Sequence, residues 1–463
     1  MGNNQRCHNL LTEIIGALAV SLVSILNGII RGFTTVALPN LGLDENEGSW
    51  FAALSYIGAI IFAPLGGLIA GTLGRKKTLM IFSPIVSCGW LFIAASDTKI
   101  MLFLGKMLTS IATYSMIATP NAYISETVHP DIRANLASLP GLAINVGVST
   151  TWVLGYFLHW RTISYLSSII PLVVLLVLCF LPESPYWLIE QDLGEELAEK
   201  SLQFFRHPEY DVTDEIKEIC DRKSVKKSQD KKSLNQIFSQ CFTVTFWKPF
   251  RCIGIIWSLN MLSGMPALVN YLIPIMEESG SDLDPSLAPM IIGILIMVIA
   301  FVVPFIVQEM NPKTSFVLGQ ALTGLSMGIM GTFFAVHYTY PESTKFSWIP
   351  LAMITSQFSI KSFSLLPVMS ALVGELFPTE IRALGVGMVQ SSYFASGALI
   401  VKLYPDLKSV MGLHGLLYFY MSIGIFNSIW GYLTIPDNRS KTLTEVEETM
   451  YDAKTPLIKK SKK

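Results

Sequence analysis

Twelve stretches of mostly apolar residues run through the chain, near 11–32, 51–71, 78–95, 100–123, 137–159, 163–181, 250–275, 287–307, 314–337, 348–373, 384–403 and 411–434. A helix needs about 20 such residues to cross the hydrocarbon core of a bilayer. Lipid offers no water to backbone N–H and C=O groups, so a lipid-embedded segment must satisfy them internally, as a helix does. The expected fold class is an all-α membrane protein with twelve transmembrane helices. Composition agrees: 51% of the 463 residues are hydrophobic and 14% are charged, too apolar for a soluble domain of this length.

The net charge of −1 says little, but its distribution orients the chain. "GRKK" (74–77), a lysine-rich 182–249 and the terminal "IKKSKK" are basic, whereas "LDENEG" (43–48) and "EESGSD" (277–282) are acidic. Basic loops stay in the cytosol, which puts both termini and the 182–249 loop inside. The first stretch is too long, and too weakly basic in front, for a cleavable signal peptide, and "MGNNQRC" lacks the Ser or Thr of a myristoylation signal. On this topology Cys7, Cys88, Cys179, Cys220, Cys241 and Cys252 lie in the membrane or the cytosol, so no extracellular disulfide is implied. The Asn438-Arg439-Ser440 triplet falls in the cytosolic tail, out of reach of glycosylation.

Six stretches, a long polar loop and six more suggest duplication. "ISETVHPDIRA" (124–134) ends the fourth stretch and "VGELFPTEIRA" (373–383) the tenth, each with its glutamate seven residues before its arginine. "LPESPYWL" (181–188) and "IPDNRSKTL" (435–443) follow the sixth and twelfth in the same way. Repeats in equivalent positions of two six-span halves are a transporter pattern. The expected order is a cytosolic N-terminus (1–10), a six-helix bundle (11–181), a cytosolic loop (182–249), a second bundle (250–434) and a basic cytosolic tail (435–463). Within the loop, "GEELAEKSLQFF" (194–205) and "DEIKEICDRK" (214–223) have apolar residues at helical spacing, which predicts a small helical insert.

At these motifs the sequence resembles the sugar porters of the major facilitator superfamily, and among them the insect facilitative trehalose and glucose transporters. The resemblance rests on "PNAYISE" (120–126), "LPESPYWL", "GELFPTEIRA" (374–383) and "GRKK", in order and at the right spacing, and it covers essentially the whole chain. It implies two bundles rocking about a central site, held by cytosolic ion pairs while the site opens outward. Arg75, Glu126, Arg133, Glu375 and Arg382 occupy the matching gate positions. Three others depart from the pattern: Gly71 stands where the family has an aspartate, "QEMNPK" (308–313) where the second half repeats Gly-Arg-Arg, and Lys106 where arginine is customary. Lysine cannot form arginine's bidentate fork.

The central site that the resemblance implies is rewritten. The fifth-span glutamine is Gly141, the seventh-span signature reads "NMLSGMP" (260–266), the tenth-span tryptophan is Ser370, and the eleventh-span asparagine and tryptophan are Tyr393 and Phe394. Asn145, one helical turn beyond Gly141, Asn260 in place of a glutamine, and Tyr271, matching an outer-gate tyrosine, keep some polarity. For both asparagines, helix–helix hydrogen bonding is the alternative. Lys361 falls where the family has an aromatic lining the sugar site. A charge at mid-membrane costs about 2.5–3.5 kcal/mol. Two readings stay open: a lysine that snorkels or sits uncharged in a hydrated crevice, or one that contacts an anionic solute. Arg31, near the outer end of the first stretch, is read as snorkelling to the headgroups.

The candidate substrate-binding set is therefore Asn145, Asn260, Tyr271, Lys361, Ser370 and Tyr393. No metal cluster, nucleophile elbow or phosphate loop is legible, so the reading is not an enzyme and implies no cofactor, metal or nucleic acid. The expected partners are a small-molecule solute and the lipid bilayer, for a monomer in the plasma membrane. The expected function is facilitated diffusion of a small polar solute, a sugar first. Glu13, at the mouth of the first stretch, is its only acid, and proton coupling needs one inside the membrane. The alternatives are a carrier of a small organic anion with Lys361 as counter-ion, and a solute sensor with little transport.

Overall fold

A computed structural model describes residues 2–206, 210–229, 244–281, 283–307, 311–340, 346–364 and 382–435. Among them every regular element is a helix. The order is α1 (Gly2–Ala37), a short 3-10 turn (Leu38–Asn40), α2 (Glu45–Leu73), α3 (Arg75–Ala94), α4 (Lys99–Ser115), α5 (Thr119–Thr127), α6 (Pro130–Leu136), α7 (Leu139–Phe157) and α8 (Trp160–Cys179). Then come α9 (Pro185–Glu190), α10 (Glu195–Phe205), α11 (Thr213–Gln229), α12 (Val244–Leu262), α13 (Met265–Asn270), α14 (Leu272–Glu277), α15 (Leu287–Val307), α16 (Pro312–Thr339), α17 (Ile349–Ser364) and α18 (Arg382–Thr434).

Nine helical segments among the described residues are long and apolar enough to cross a membrane. One of them, Leu384–Thr434, holds two of the apolar stretches, and non-helical backbone at Gly412 (φ 69°, ψ 166°) separates them. The shorter apolar helix Leu287–Val302 coincides with the eighth stretch. α17 covers the first part of the tenth, whose remainder lies outside the described residues.

The chain forms two compact units. Unit 1 takes in residues up to 30, 61–148 and 161–237; unit 2 takes in 31–60, 149–160 and everything from 238. In unit 1, α3 packs along α4 and against α5. The predicted insert helices are present as α10 and α11, joined to α9 by a small core of Trp187, Leu188, Ile189, Ala198, Leu202, Val212, Ile216 and Ile219. Phe205 is 1% exposed and meets the Tyr123 ring edge-on at 6.3 Å, which docks the insert on α5. Burying one phenylalanine stabilises by roughly 1.5–3 kcal/mol.

Beside Phe205, Arg206 forms a charged hub. Its guanidinium donates to Glu13 at 2.7 Å, to Glu215 at 2.9 Å and to the Thr127 carbonyl at 3.1 Å, while the other Glu13 oxygen accepts the His129 N–H at 2.9 Å. The Arg206 and Glu13 side chains are each only 4% exposed. The acid at the mouth of the first span is therefore held in a structural ion pair with the insert.

In unit 2, α18 packs against both α12 and α16, and α16 against α17. Phe246, Ile253, Ile256, Trp257, Phe316 and Val389 form a buried apolar cluster in it. Buried amides bridge these helices: Asn427 donates to the Gln320 side chain and the Ile256 carbonyl, both at 3.3 Å, and Gln357 to the Thr323 carbonyl at 2.9 Å. Such bonds join helices where the hydrophobic effect cannot, because lipid is as apolar as the helices. The end of α1, from Arg31, and the start of α2, to Ile60, belong to this unit too. Thr35 donates to the Val269 carbonyl at 2.7 Å and Ser391 to the Ile60 carbonyl at 2.7 Å. Lys402 reaches Asn46 at 2.9 Å and lies 5.3 Å from the Trp50 ring centroid.

Candidate functional site

In unit 1 the motif expected from the sequence to form a gate is built around the turn into α3. Gly74 has φ +108°, a conformation closed to most side chains, and a Cβ there would also strike the Glu183 carboxylate. That carboxylate accepts the Lys76 and Lys77 N–H groups at 2.9 and 3.3 Å, so an anion sits on the N-terminus of a helix that opens with three cationic residues. Arg75 then grips Glu126 as a fork, Nη2 to Oε1 at 2.7 Å and Nε to Oε2 at 3.0 Å, and Ser184 adds a hydroxyl bond to the same carboxylate. Gly71, which replaces the customary aspartate, offers its carbonyl to the Trp187 indole at 2.9 Å.

Arg75 and Glu126 are thus brought together. Arg133 is not part of that pair; it donates to the Val128 carbonyl at 3.0 and 3.2 Å. Glu375 lies outside the described residues, and of Arg382 only its place at the start of α18 is described. Lys106 is fully buried and donates to the Ile30 carbonyl at 3.3 Å.

In unit 2 the seventh apolar stretch is a broken helix, α12–α13–α14, and the break explains Lys361. Gly264 is left-handed at φ +94° and turns its N–H to Met261 instead of to Asn260, four residues back. The Asn260 carbonyl, freed of its helical partner, accepts the Ser263 hydroxyl at 2.7 Å and the Lys361 ammonium at 3.4 Å. A cation is well placed there, since the carbonyl end of a helix carries partial negative charge. Lys361 itself lies half-buried in the last turn of α17. The Asn260 side chain is buried beside it, and its Oδ1 has no hydrogen-bond partner among the described residues.

Two of the six expected binding residues, Asn260 and Lys361, therefore touch. Tyr271, at the second break, is 6% exposed, donates to the Val401 carbonyl at 3.2 Å and stacks on Tyr404 at 4.2 Å between ring centroids. Tyr393 is half-buried, its ring edge-on to Trp257 at 5.6 Å. Asn145 is half-buried on α7 and belongs to unit 1. Ser370 lies outside the described residues. Sequence reasoning missed Tyr404, Lys402 and Arg206. Only Arg206 had a signal, the lone Glu13 in an apolar span that had to find a cation.

A family model described as "Sugar (and other) transporter" matches residues 28–450. The chain belongs to that family. It is a multi-pass membrane transporter of a small-molecule solute, not an enzyme. It is 25% identical over 447 residues to a protein named facilitated trehalose transporter Tret1-2 homolog from Drosophila simulans, covering 95% of this chain and 91% of that one. To the facilitated trehalose transporter Tret1 of Bombyx mori it is 24% identical, covering 95% of this chain and 86% of the other. The inward-open structure of the xylose transporter XylE from E. coli matches with a TM-score of 0.71 at 19% identity, over 95% of this chain and 98% of that one. The fold of this family member is therefore the all-helical one of the major facilitator superfamily.

Proposed function

We propose that this family member carries a sugar, trehalose or a hexose, down its gradient by alternating access, through twelve spans in two six-helix bundles. The observation that carries the reading is the likeness to trehalose transporters over 95% of the chain. The twelve-span count is supported by the nine long segments, the break at Gly412 inside the longest and the shorter helix over the eighth stretch. Facilitated diffusion fits the occupation of Glu13, whose two oxygens are held by Arg206 and the His129 N–H. A proton carrier in the membrane needs an acid free to change charge.

The substrate-binding set is Asn145, Asn260, Tyr271, Lys361, Ser370 and Tyr393, with Asn260 Oδ1 as the acceptor best placed to take a sugar hydroxyl. Arg75 and Glu126, with Arg133, Glu375 and Arg382, form the cytosolic gate. Both termini and the α10–α11 insert lie in the cytosol, by the charge asymmetry of the loops, and the protein works in the plasma membrane, as its resemblance to the sugar porters implies. The end of unit 2 that carries Leu38–Glu47 then faces outward.

Carriage of an organic anion has less behind it, because the Lys361 ammonium is already engaged by a backbone carbonyl. The deciding experiment is uptake of labelled trehalose, glucose and a carboxylate panel in transporter-deficient cells, wild type beside Lys361→Phe. The expected result is sugar uptake in wild type that the variant preserves. Carboxylate uptake that the variant loses would reverse the assignment.

A further inference from the structure

A cavity of about 500 Å³ lies between α16, the start of α17 and the part of α18 beyond Gly412, all within unit 2. Leu325, Ile329 and Val336 of α16 are among its walls, with Phe346 just ahead of α17, and each is about half exposed. Both α16 and α18 contain segments long and apolar enough to cross a membrane, so the cavity opens onto the surface that lipid covers. No charged side chain is among the walls, and a charged headgroup finds no counter-charge there. The occupant to look for is an uncharged molecule dissolved in the bilayer.

The polar side chains among the walls are Thr332 and Tyr418, whose hydroxyl oxygens lie 3.1 Å apart. A threonine hydroxyl has one proton, and that of Thr332 goes to the Gly328 carbonyl at 2.9 Å, so Tyr418 donates to Thr332. The Tyr418 oxygen keeps its lone pairs and is the acceptor that the cavity offers. The phosphate and ester oxygens of a phospholipid only accept and cannot pair with it; a hydroxyl can. Depth points the same way. Thr332 precedes the end of the ninth apolar stretch by five residues, about 7–8 Å along a helix. Beyond it Tyr338, Tyr340 and Trp348 are each more than half exposed, the aromatic belt of a membrane–water interface. From Thr332 inward to Leu325 is about 10 Å more. The cavity therefore fits a molecule with one hydroxyl beneath the interface and an apolar body pointing toward mid-membrane. A rigid body is favoured over an acyl chain, because a flexible chain loses more freedom when held.

We propose that this cavity is a sterol site, in the outer leaflet on the sidedness proposed above. The sterol hydroxyl donates to the Tyr418 oxygen and the fused rings lie along Ile329 and Leu325, so one rigid molecule bridges α16 and α18.

The test is photolabelling of the full chain in phosphatidylcholine nanodiscs by a diazirine-bearing cholesterol that keeps its 3-hydroxyl, with the labelled peptides read by mass spectrometry. Label is expected on α16 and on α18 beyond Gly412. Unlabelled cholesterol is expected to displace it roughly fivefold better than cholesterol 3-methyl ether, which has the same rings but no proton to donate, the order that one net hydrogen bond supplies. Tyr418→Phe is expected to weaken cholesterol to the level of the ether and to leave the ether unchanged. Ile349→Trp, which fills the cavity, is expected to remove the label from these peptides. Equal displacement by sterol and ether, labelling unchanged in either variant, or labelling of the same peptides by a diazirine phosphatidylcholine that cholesterol does not displace would each overturn the proposal. The readout needs no sugar, so its outcome is independent of the solute carried; the proposed sidedness decides only which leaflet supplies the sterol.

Discussion

Arg206 joins three parts of unit 1 through one guanidinium: Glu13 in α1, the Thr127 carbonyl at the end of α5 and Glu215 in α11. Removing one member of a buried pair leaves an uncompensated charge, which costs about 3–5 kcal/mol. Arg206→Ala is expected to lower the melting temperature of the purified protein sharply, while Glu13→Gln in the same background recovers part of the loss; thermal unfolding in detergent reads both. Burial alone would push the Glu215 carboxyl up, but the hydrogen bonds and charge of Arg206, with the Tyr210 hydroxyl, outweigh it and hold the carboxyl below its ordinary range. A carboxyl lowered by folding stabilises at neutral pH, and that stability is lost as pH falls through the lowered value. Proteolysis of the insert is therefore expected to accelerate below about pH 4, and Glu215→Gln to cut as readily at pH 7 as at pH 4. At this scale the sequence exposed charges but not their partners. Lys361 was conspicuous from its surroundings, yet its partner is a backbone carbonyl, which no residue type announces.

At the scale of elements, the break between α12 and α13 does most to shape the candidate site. It frees the Asn260 carbonyl, brings Lys361 to it and leaves Tyr271 at the next break, facing Tyr404. Gly264 makes it possible: a left-handed conformation costs other residues roughly 1–2 kcal/mol, and a Cβ there would run into the Tyr420 ring. Gly264→Ala is expected to destabilise by about 2 kcal/mol or more and to reduce uptake beyond what surface expression explains, measured by binding and uptake on the same membranes. Apolar run lengths made the long helices legible, and apolar residues at helical spacing did the same for α10 and α11. The break was not legible, because "NMLSGMP" reads equally as a continuous helix with a tolerated glycine. For α18 the reverse holds: the sequence divides it into stretches 384–403 and 411–434, whereas the helix runs on with non-helical backbone at Gly412.

At the scale of the molecule, the expectations of duplication and of sidedness rest on marks repeated along the chain. The division into units was not legible, because residues 31–60 and 149–160 join unit 2 through contacts that no local pattern encodes, such as Thr35 on Val269 and Lys402 on Asn46. If transport proceeds by alternating access, the Lys402 latch must open in every cycle. Asn46→Cys with Lys402→Cys, in a background where the exposed Cys88 and Cys179 are serines, is expected to lose uptake when a short reducible bis-thiosulfonate bridges the pair. Reduction should restore it, and undiminished uptake in the bridged protein would show that the latch is static. The Arg206 hub also sets a timetable for biosynthesis. Glu13 leaves the ribosome 193 residues ahead of Arg206, an interval of about 10–40 s at ordinary elongation rates. Throughout that interval the nascent first span holds an acid without its cation, so a chain stalled after the sixth span is a marked client for membrane quality control.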